Sequence, residues 1–146
     1  MLLKIGQMEI HMVLSIWISI ADPGQAPCQN EILDNIPKLK LHFYDLAKDL
    51  YDEINCETIP APTADHAKQI VDFILANPDK NILVNCQAGI SRSGCIAQFC
   101  NEYLGYTWPD LVKRFAVPNH HLLKLMVNYF GKPKKTIIND RRRKFD

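Results

Sequence analysis

The chain is organised around Val84-Asn85-Cys86-Gln87-Ala88-Gly89-Ile90-Ser91-Arg92-Ser93-Gly94. The apolar run at 81–84 predicts a buried strand, and the apolar spacing at 95–104 predicts a helix. A loop that leaves a strand and opens a helix forms an anion site, because the first helical N–H groups have no partner within the helix. A cysteine in that field ionises more readily than a free thiol. The stretch therefore predicts a thiolate that faces a bound phosphate.

The side chains of this loop are those that phosphoryl transfer needs. Cys86 would attack phosphorus as a thiolate, and the planar, forked guanidinium of Arg92 can hold two phosphate oxygens at once. Ser93 can donate a hydrogen bond to the sulfur and help it leave when water breaks the phosphocysteine. Gly89 permits the tight curl that points loop amides inwards. The residues expected to bind phosphate are Gln87, Ala88, Gly89, Ile90, Ser91 and Arg92.

The composition is that of one ordinary globular domain. The chain has 146 residues and a formal net charge of +1, which gives no case for nucleic-acid binding. Its five cysteines form no Cys-x-x-Cys pair and have no zinc-ligand spacing. We therefore expect reduced thiols in a cytoplasmic monomer, with no metal and no other cofactor.

The apolar run at 12–20 could be mistaken for a signal peptide. It is too short to span a bilayer, and the turn Asp22-Pro23-Gly24 follows it instead of a cleavage site. We interpret the run as a buried strand and expect no membrane span. Residues 1–11 are mixed in character and could form a short first strand.

Strand and helix patterns alternate in the first half of the chain, and helices dominate the second half. Polar and apolar residues alternate at 38–43, and Thr63 stands where a helix would be capped. The long connection 44–62 is expected to be partly helical near 46–54. This order predicts an α/β fold with a small, central, mostly parallel sheet flanked by helices.

The pattern shows no domain linker and no internal repeat. We expect a single domain at 1–133 and a basic, flexible tail at 134–146.

The motif Cys86-x-x-Gly89-x-x-Arg92-Ser93 resembles the Cys-x5-Arg signature of the protein tyrosine phosphatase superfamily. Its loop is most similar to the dual-specificity branch, and the likeness covers about 12–130. The resemblance implies a dual-specificity phosphatase-like fold and a cysteine-dependent phosphatase. Its substrates would be phosphotyrosine, and as an extension phosphoserine or phosphothreonine, in a protein or a small phosphomonoester.

The resemblance also implies a general acid on a loop ahead of the central strand, which protonates the leaving group. Asp45 directly follows the strand at 38–43 and is the first choice, with Asp49 and Asp52 as alternatives. Asp65 is better explained as a residue of a helical first turn, where the macrodipole favours an acidic side chain.

Two asparagines are expected to support the loop. Related phosphatases have histidine immediately before the nucleophile, whereas this chain has Asn85, which predicts weaker activation of the thiol. Asn119 resembles an asparagine that braces the phosphate loop in the family, and it fits the N-cap of the last helix equally well.

Other interpretations of the loop stay open. A phosphate-binding or phosphopeptide-binding pseudophosphatase module would use the same residues without turnover. A sulfurtransferase also uses a loop cysteine, although the spacing to Arg92 suits phosphate better. The simplest alternative is that Cys86 is an inert core cysteine, as most free cysteines are.

Overall fold

A computed structural model of the chain describes residues 1–5, 15–87 and 91–131, and this part has an α/β fold. The strands are β1 (Leu2–Ile5), β2 (Ser15–Ala21), β3 (Lys38–His42), β4 (Leu50–Asp52), β5 (Glu57–Ile59), β6 (Asn81–Asn85) and β7 (Tyr106–Thr107). The helices are α1 (Ala64–Ala76), α2 (Arg92–Leu104), α3 (Asp110–Phe115) and α4 (120–131), and a 3-10 turn covers Leu33–Asn35. The predicted tail at 134–146 lies outside the described residues.

Five strands form one mixed sheet in the order β3-β2-β6-β1-β7. β2 is parallel to β3 and to β6, whereas β1 is antiparallel to β6 and to β7. A parallel arrangement is therefore found for β3, β2 and β6 and not for the sheet as a whole. The local pattern of β1 could not reveal this, because strand direction depends on pairing with a strand far along the chain.

The three parallel strands end at one edge of the sheet. β6 ends level with Ser19, and β3 ends level with Ala21 at the end of β2. The residues that directly follow these three ends are Asp22, Phe43 and Cys86. Open α/β sheets bind ligands at the carboxyl ends of their parallel strands, so this edge is where a site is expected.

One face of the sheet carries the hydrophobic core. Its β-branched residues suit the pleated surface, and they are buried against the apolar faces of α1, α2 and α4. Burial of one such side chain contributes about 1.5–3 kcal/mol. The strand residues of this face include Leu3, Ile16, Ile18, Ile20, Leu41, Ile82 and Val84. No helix among the described residues has both the length and the apolar character needed to cross a bilayer.

α1 begins where the sequence predicts, directly after Thr63. The Thr63 side chain accepts a hydrogen bond from the His66 N–H at 3.4 Å, and His66 Nδ1 accepts one from the Thr63 N–H at 3.0 Å. This is a capping box in which histidine replaces the usual glutamate or glutamine. Gly105 ends α2 in the left-handed conformation, with φ of 78°.

The prediction of helix near 46–54 is wrong. β4 and β5 form an antiparallel hairpin instead, with Leu50 opposite Ile59. The Asp52 carboxylate closes its turn by accepting hydrogen bonds from the N–H groups of Ile54 and Asn55 at 2.9 and 3.3 Å. Such local side-chain bonds compete with helix formation, and here they stabilise a turn.

Candidate active site

Cys86 directly follows β6 and is half-buried. Its Sγ lies 3.2 Å from the Ser93 Oγ, a hydrogen bond in which either atom can donate. Ser93 is fully buried in the first turn of α2, which fixes its hydroxyl beside the sulfur. The fold therefore brings together the nucleophile and the helper residue that the sequence predicts.

Arg92 is the first residue of α2, and only 5% of its side chain is exposed. Its Nη1 donates hydrogen bonds to the Asp22 carboxylate at 2.7 Å and to the Phe43 carbonyl at 2.6 Å. The buried Nε has no partner within the described part of the chain. Because buried N–H groups are nearly always hydrogen-bonded, this orphan donor marks the place of an acceptor such as a ligand oxygen.

The N-terminus of α2 is not capped by a side chain. Ser91 stands at the N-cap position, but its hydroxyl donates to the Asp45 Oδ1 at 2.7 Å instead. The first intrahelical bond runs from the Cys95 N–H to the Ser91 carbonyl at 2.8 Å. The preceding amides lack acceptors within the helix and, with the helix dipole, favour an anion at this end.

Asp45 and Asn119 join the loop to α4. Asp45 Oδ1 accepts hydrogen bonds from Ser91 Oγ and from Asn119 Nδ2, the second at 2.8 Å. Asn119 Oδ1 accepts from the Leu122 N–H at 3.0 Å, and the Asn119 N–H donates to the Ser91 carbonyl at 3.2 Å. Asn119 is therefore placed both to cap the helix and to brace the loop.

The other candidate acids take part in local structure. Asp49 accepts a backbone hydrogen bond at 2.9 Å from the segment that leads into α1. Asp52 closes the hairpin turn. The hydrogen bonds that it accepts, of which the one from the Asn55 side chain has the largest effect, lower the pKa of its carboxyl. Asp65 bonds a neighbouring side chain on the exposed surface of α1 at 2.8 Å. Asp45 is the candidate whose carboxylate contacts the loop.

Asn85 is held by a residue that the sequence pattern does not connect with the loop. The Trp17 Nε1–H donates to the Asn85 Oδ1 at 2.6 Å. Because an indole N–H can only donate, this bond orients the amide with its Nδ2 away from Trp17. Trp17 is 1% exposed, and the Lys40 ammonium lies 4.8 Å from the centroid of its ring. The side chain of the residue before Cys86 is thus oriented by this hydrogen bond.

A cavity of about 170 Å³ lies beside Cys86 at the carboxyl ends of β2 and β6. Its lining includes Asn85 at the end of β6, Gln87 from the loop, and Gln25 and Cys28 from the segment after β2. Gln87 therefore lies at the candidate site. The other predicted phosphate-binding residues Ala88, Gly89 and Ile90 lie outside the described residues.

Of the remaining thiols, Cys28 lines the cavity beside Cys86, whereas Cys95 and Cys100 belong to the core. Cys28 and Cys56 are exposed, and Cys95 and Cys100 are buried in the core. Burial raises the pKa of both of these thiols. Among the residues that the structure describes, no three His, Cys, Asp or Glu side chains are grouped to hold a metal ion.

Asp22 is the site residue that the sequence analysis does not identify. The pattern Asp22-Pro23-Gly24 predicts only a turn, yet the structure pairs its carboxylate with Arg92. An acidic residue immediately after a predicted parallel strand was the available signal, because such strand ends share one edge of the sheet.

Comparisons with protein-family models, with curated proteins and with solved structures find no match to this chain. The geometry and chemistry of the site are therefore the basis on which a function can be proposed.

Proposed function

We propose that this protein is a cysteine-dependent phosphatase of the dual-specificity kind, with the corresponding fold built on the parallel β3, β2 and β6. It would hydrolyse phosphotyrosine, and also phosphoserine or phosphothreonine, in a protein or a small phosphomonoester. One observation carries the proposal: a buried arginine with an orphan Nε–H lies six residues after a cysteine that contacts a buried serine. A phosphate oxygen would supply the missing acceptor.

The first step is the transfer of the phosphoryl group to the enzyme. The Cys86 thiolate attacks phosphorus, an S–P bond forms, and the bond from phosphorus to the leaving oxygen breaks as Asp45 supplies a proton. The Arg92 guanidinium and the first amides of α2 hold the non-bridging oxygens, on which charge is stabilised in the transition state. The polar groups supplied by this chain account for the charge stabilisation without a metal.

The second step is the hydrolysis of the phosphocysteine. Asp45, now ionised, accepts a proton from water as the water attacks phosphorus. The Ser93 hydroxyl, at 3.2 Å from the sulfur, hydrogen-bonds the departing Cys86 thiolate. Inorganic phosphate then leaves, and the thiolate is regenerated.

A second candidate function is a phosphate-binding module without turnover. The Asp45 carboxylate already accepts hydrogen bonds from Ser91 and Asn119, so it would serve only as a brace. Asn85 in place of histidine would leave Cys86 poorly activated. This module would bind phosphopeptide or vanadate tightly and hydrolyse nothing.

Hydrolysis of para-nitrophenyl phosphate in the presence of a chelator tests the enzyme proposal. We expect turnover by the wild type, loss of that turnover in Cys86→Ser, and no loss in the control Cys56→Ser, whose thiol is exposed in the hairpin turn. A wild type no faster than Cys86→Ser would show that the enzyme proposal is wrong. Binding of vanadate without any turnover would then support the binding module.

The state of the nucleophile gives an independent measurement. Iodoacetamide alkylation followed by mass spectrometry reports the pH at which each thiol ionises. An activated Cys86 should be alkylated near pH 6, well below the range of a free cysteine, whose pKa is about 8.5. Alkylation of Cys86 at the same pH as the exposed Cys56 would favour the inactive module.

The free thiols also bear on where the protein works. Cys28 and Cys56 are free and exposed. Exposed thiols persist in reducing compartments. We therefore propose a cytoplasmic location.

A further inference from the structure

The segments that follow three adjacent parallel strands meet at the Arg92 guanidinium. Asp22 follows β2, Phe43 follows β3, and the loop after β6 leads to Arg92. The Arg92 Nη1 lies 2.7 Å from the Asp22 carboxylate and 2.6 Å from the Phe43 carbonyl oxygen. Two acceptors, which directly follow two different strands, therefore hold one nitrogen of the guanidinium.

We propose that Asp22 is a positioning residue that aligns Arg92 for phosphoryl transfer, an inference that rests on the proposed phosphatase function. The guanidinium is planar, so two acceptors at Nη1 fix both its plane and its direction. Nη1 lies on the side of the group opposite the fork formed by the Nε–H and Nη2–H bonds. That fork can grip two oxygens, and its Nε is the buried donor without a described partner.

Charge explains why a carboxylate occupies this position. Only 5% of the Arg92 side chain is exposed, compared with 27% for Asp22. A buried guanidinium without a counter-charge is costly, and Asp22 compensates it before substrate arrives. The same negative charge opposes the approach of a phosphate anion, so Asp22 does little for binding of the ground state.

The alignment of Arg92 by Asp22 should stabilise the transition state more than the bound ground state. Its oxygens occupy new positions that an aligned, rigid fork can meet, and such alignment accelerates reaction more than it strengthens substrate binding. Asp22 should therefore raise kcat and the affinity for vanadate, which imitates the transition state. Its effect on the affinity for inorganic phosphate should be small or slightly unfavourable.

The arrangement assigns this role to Asp22 and not to Asp45. The Asp45 carboxylate bonds Ser91 and Asn119, whereas both side-chain hydrogen bonds of Arg92 to described residues use Asp22 and Phe43. The Phe43 acceptor is a main-chain carbonyl and persists in any side-chain variant. Substitution of Asp22 therefore removes one anchor and leaves the other.

The variant Asp22→Asn keeps the shape of the side chain and an acceptor oxygen but removes the charge. We expect kcat for para-nitrophenyl phosphate to fall about 10²-fold, which is the loss in rate that a misplacement of about 1 Å can cause. The inhibition constant for vanadate should rise by a similar factor, and that for inorganic phosphate should change by less than about threefold, since the two differ mainly in geometry. Asp22→Glu, which restores the carboxylate, should recover part of kcat.

Asp34→Asn is the matched control, because the Asp34 carboxylate pairs with Lys38 and Lys40 and not with Arg92. It should behave as the wild type in all three measurements. An unchanged ratio of vanadate to phosphate inhibition in Asp22→Asn, with or without a lower melting temperature, would overturn the positioning role. A wild type that neither hydrolyses the ester nor binds vanadate would refute the proposed function, and the assignment of Asp22 would fall with it.

Discussion

Asp45→Asn separates the two tasks that Asp45 could perform. The amide has the size of the carboxylate. Its oxygen can still accept the two hydrogen bonds that Asp45 Oδ1 accepts in the wild type, from Ser91 Oγ at 2.7 Å and from Asn119 Nδ2 at 2.8 Å. It cannot donate an acidic proton to the leaving group. The brace should therefore persist while general acid catalysis is lost.

The expected magnitudes of these two effects differ widely. Loss of a general acid costs about 10²–10⁴-fold in rate, which is roughly 2.7–5.5 kcal/mol in the barrier. The two hydrogen bonds lose only their charge-assisted part at an exposed carboxylate, so unfolding stability should fall by less than about 1 kcal/mol. Activity should thus fall far more than stability.

The assay compares two leaving groups. Turnover of a phosphotyrosine peptide should fall by the full factor, whereas turnover of para-nitrophenyl phosphate should fall much less, because nitrophenolate is a weaker base and needs less proton donation. Asp49→Asn is the control: it alters only the contact with the Ala61 N–H, in the segment before α1, and should keep both activities. Equal losses for the two substrates, or no loss, would refute Asp45 as the acid.

Three further predictions follow from the neighbouring contacts. Asn119→Asp keeps an N-cap acceptor but places a second carboxylate beside Asp45, so it should lose more turnover than Asn119→Ser, which also caps the helix. Equal losses in the two variants would show that Asn119 acts only as the helix cap. Trp17→Phe removes the hydrogen-bond donor to Asn85, so the free energy of unfolding in urea should fall by about 1 kcal/mol and kcat should decrease. Unchanged stability and unchanged kcat would show that this hydrogen bond contributes to neither. Burial lowers the pKa of His66 below its ordinary value of 6.5, so the unfolded chain binds more protons there and stability should fall as pH drops below about 6.5. His66→Gln keeps a capping-box residue and should remove that part of the pH dependence, measured by urea unfolding between about pH 5 and 7.5; a dependence that survives the substitution would assign it to another group.

The sequence predicted the parts of the fold that local chemistry determines. The strand before Cys86, the helix after it and the Thr63 cap depend on residues a few positions apart, and the structure confirms them. The hairpin that replaces the predicted helix near 46–54 was missed because Asp52 bonds its own turn, a short signal that apolar spacing conceals.

The contacts that complete the candidate site could not be predicted in this way. Asp22 lies 70 residues from Arg92, and Trp17 lies 68 residues from Asn85. Both contacts depend on β2 lying parallel to β6 in one particular register, and shifting that register by one residue would turn the side chains to the other face. Local patterns do not specify such pairing: the place of Asp22 directly after a predicted strand indicates the edge of the sheet at which it lies, but not its partner Arg92.

The most direct test of the central claim is the trapping of the phosphocysteine. A substrate labelled with ³²P would be mixed rapidly with the wild type, the reaction quenched in acid, and the labelled peptide located by mass spectrometry. We predict label on Cys86 that appears and decays at rates consistent with turnover, and no label on Cys86→Ser. Turnover without label on Cys86, or label unaffected by the substitution, would contradict a cysteine-dependent phosphatase.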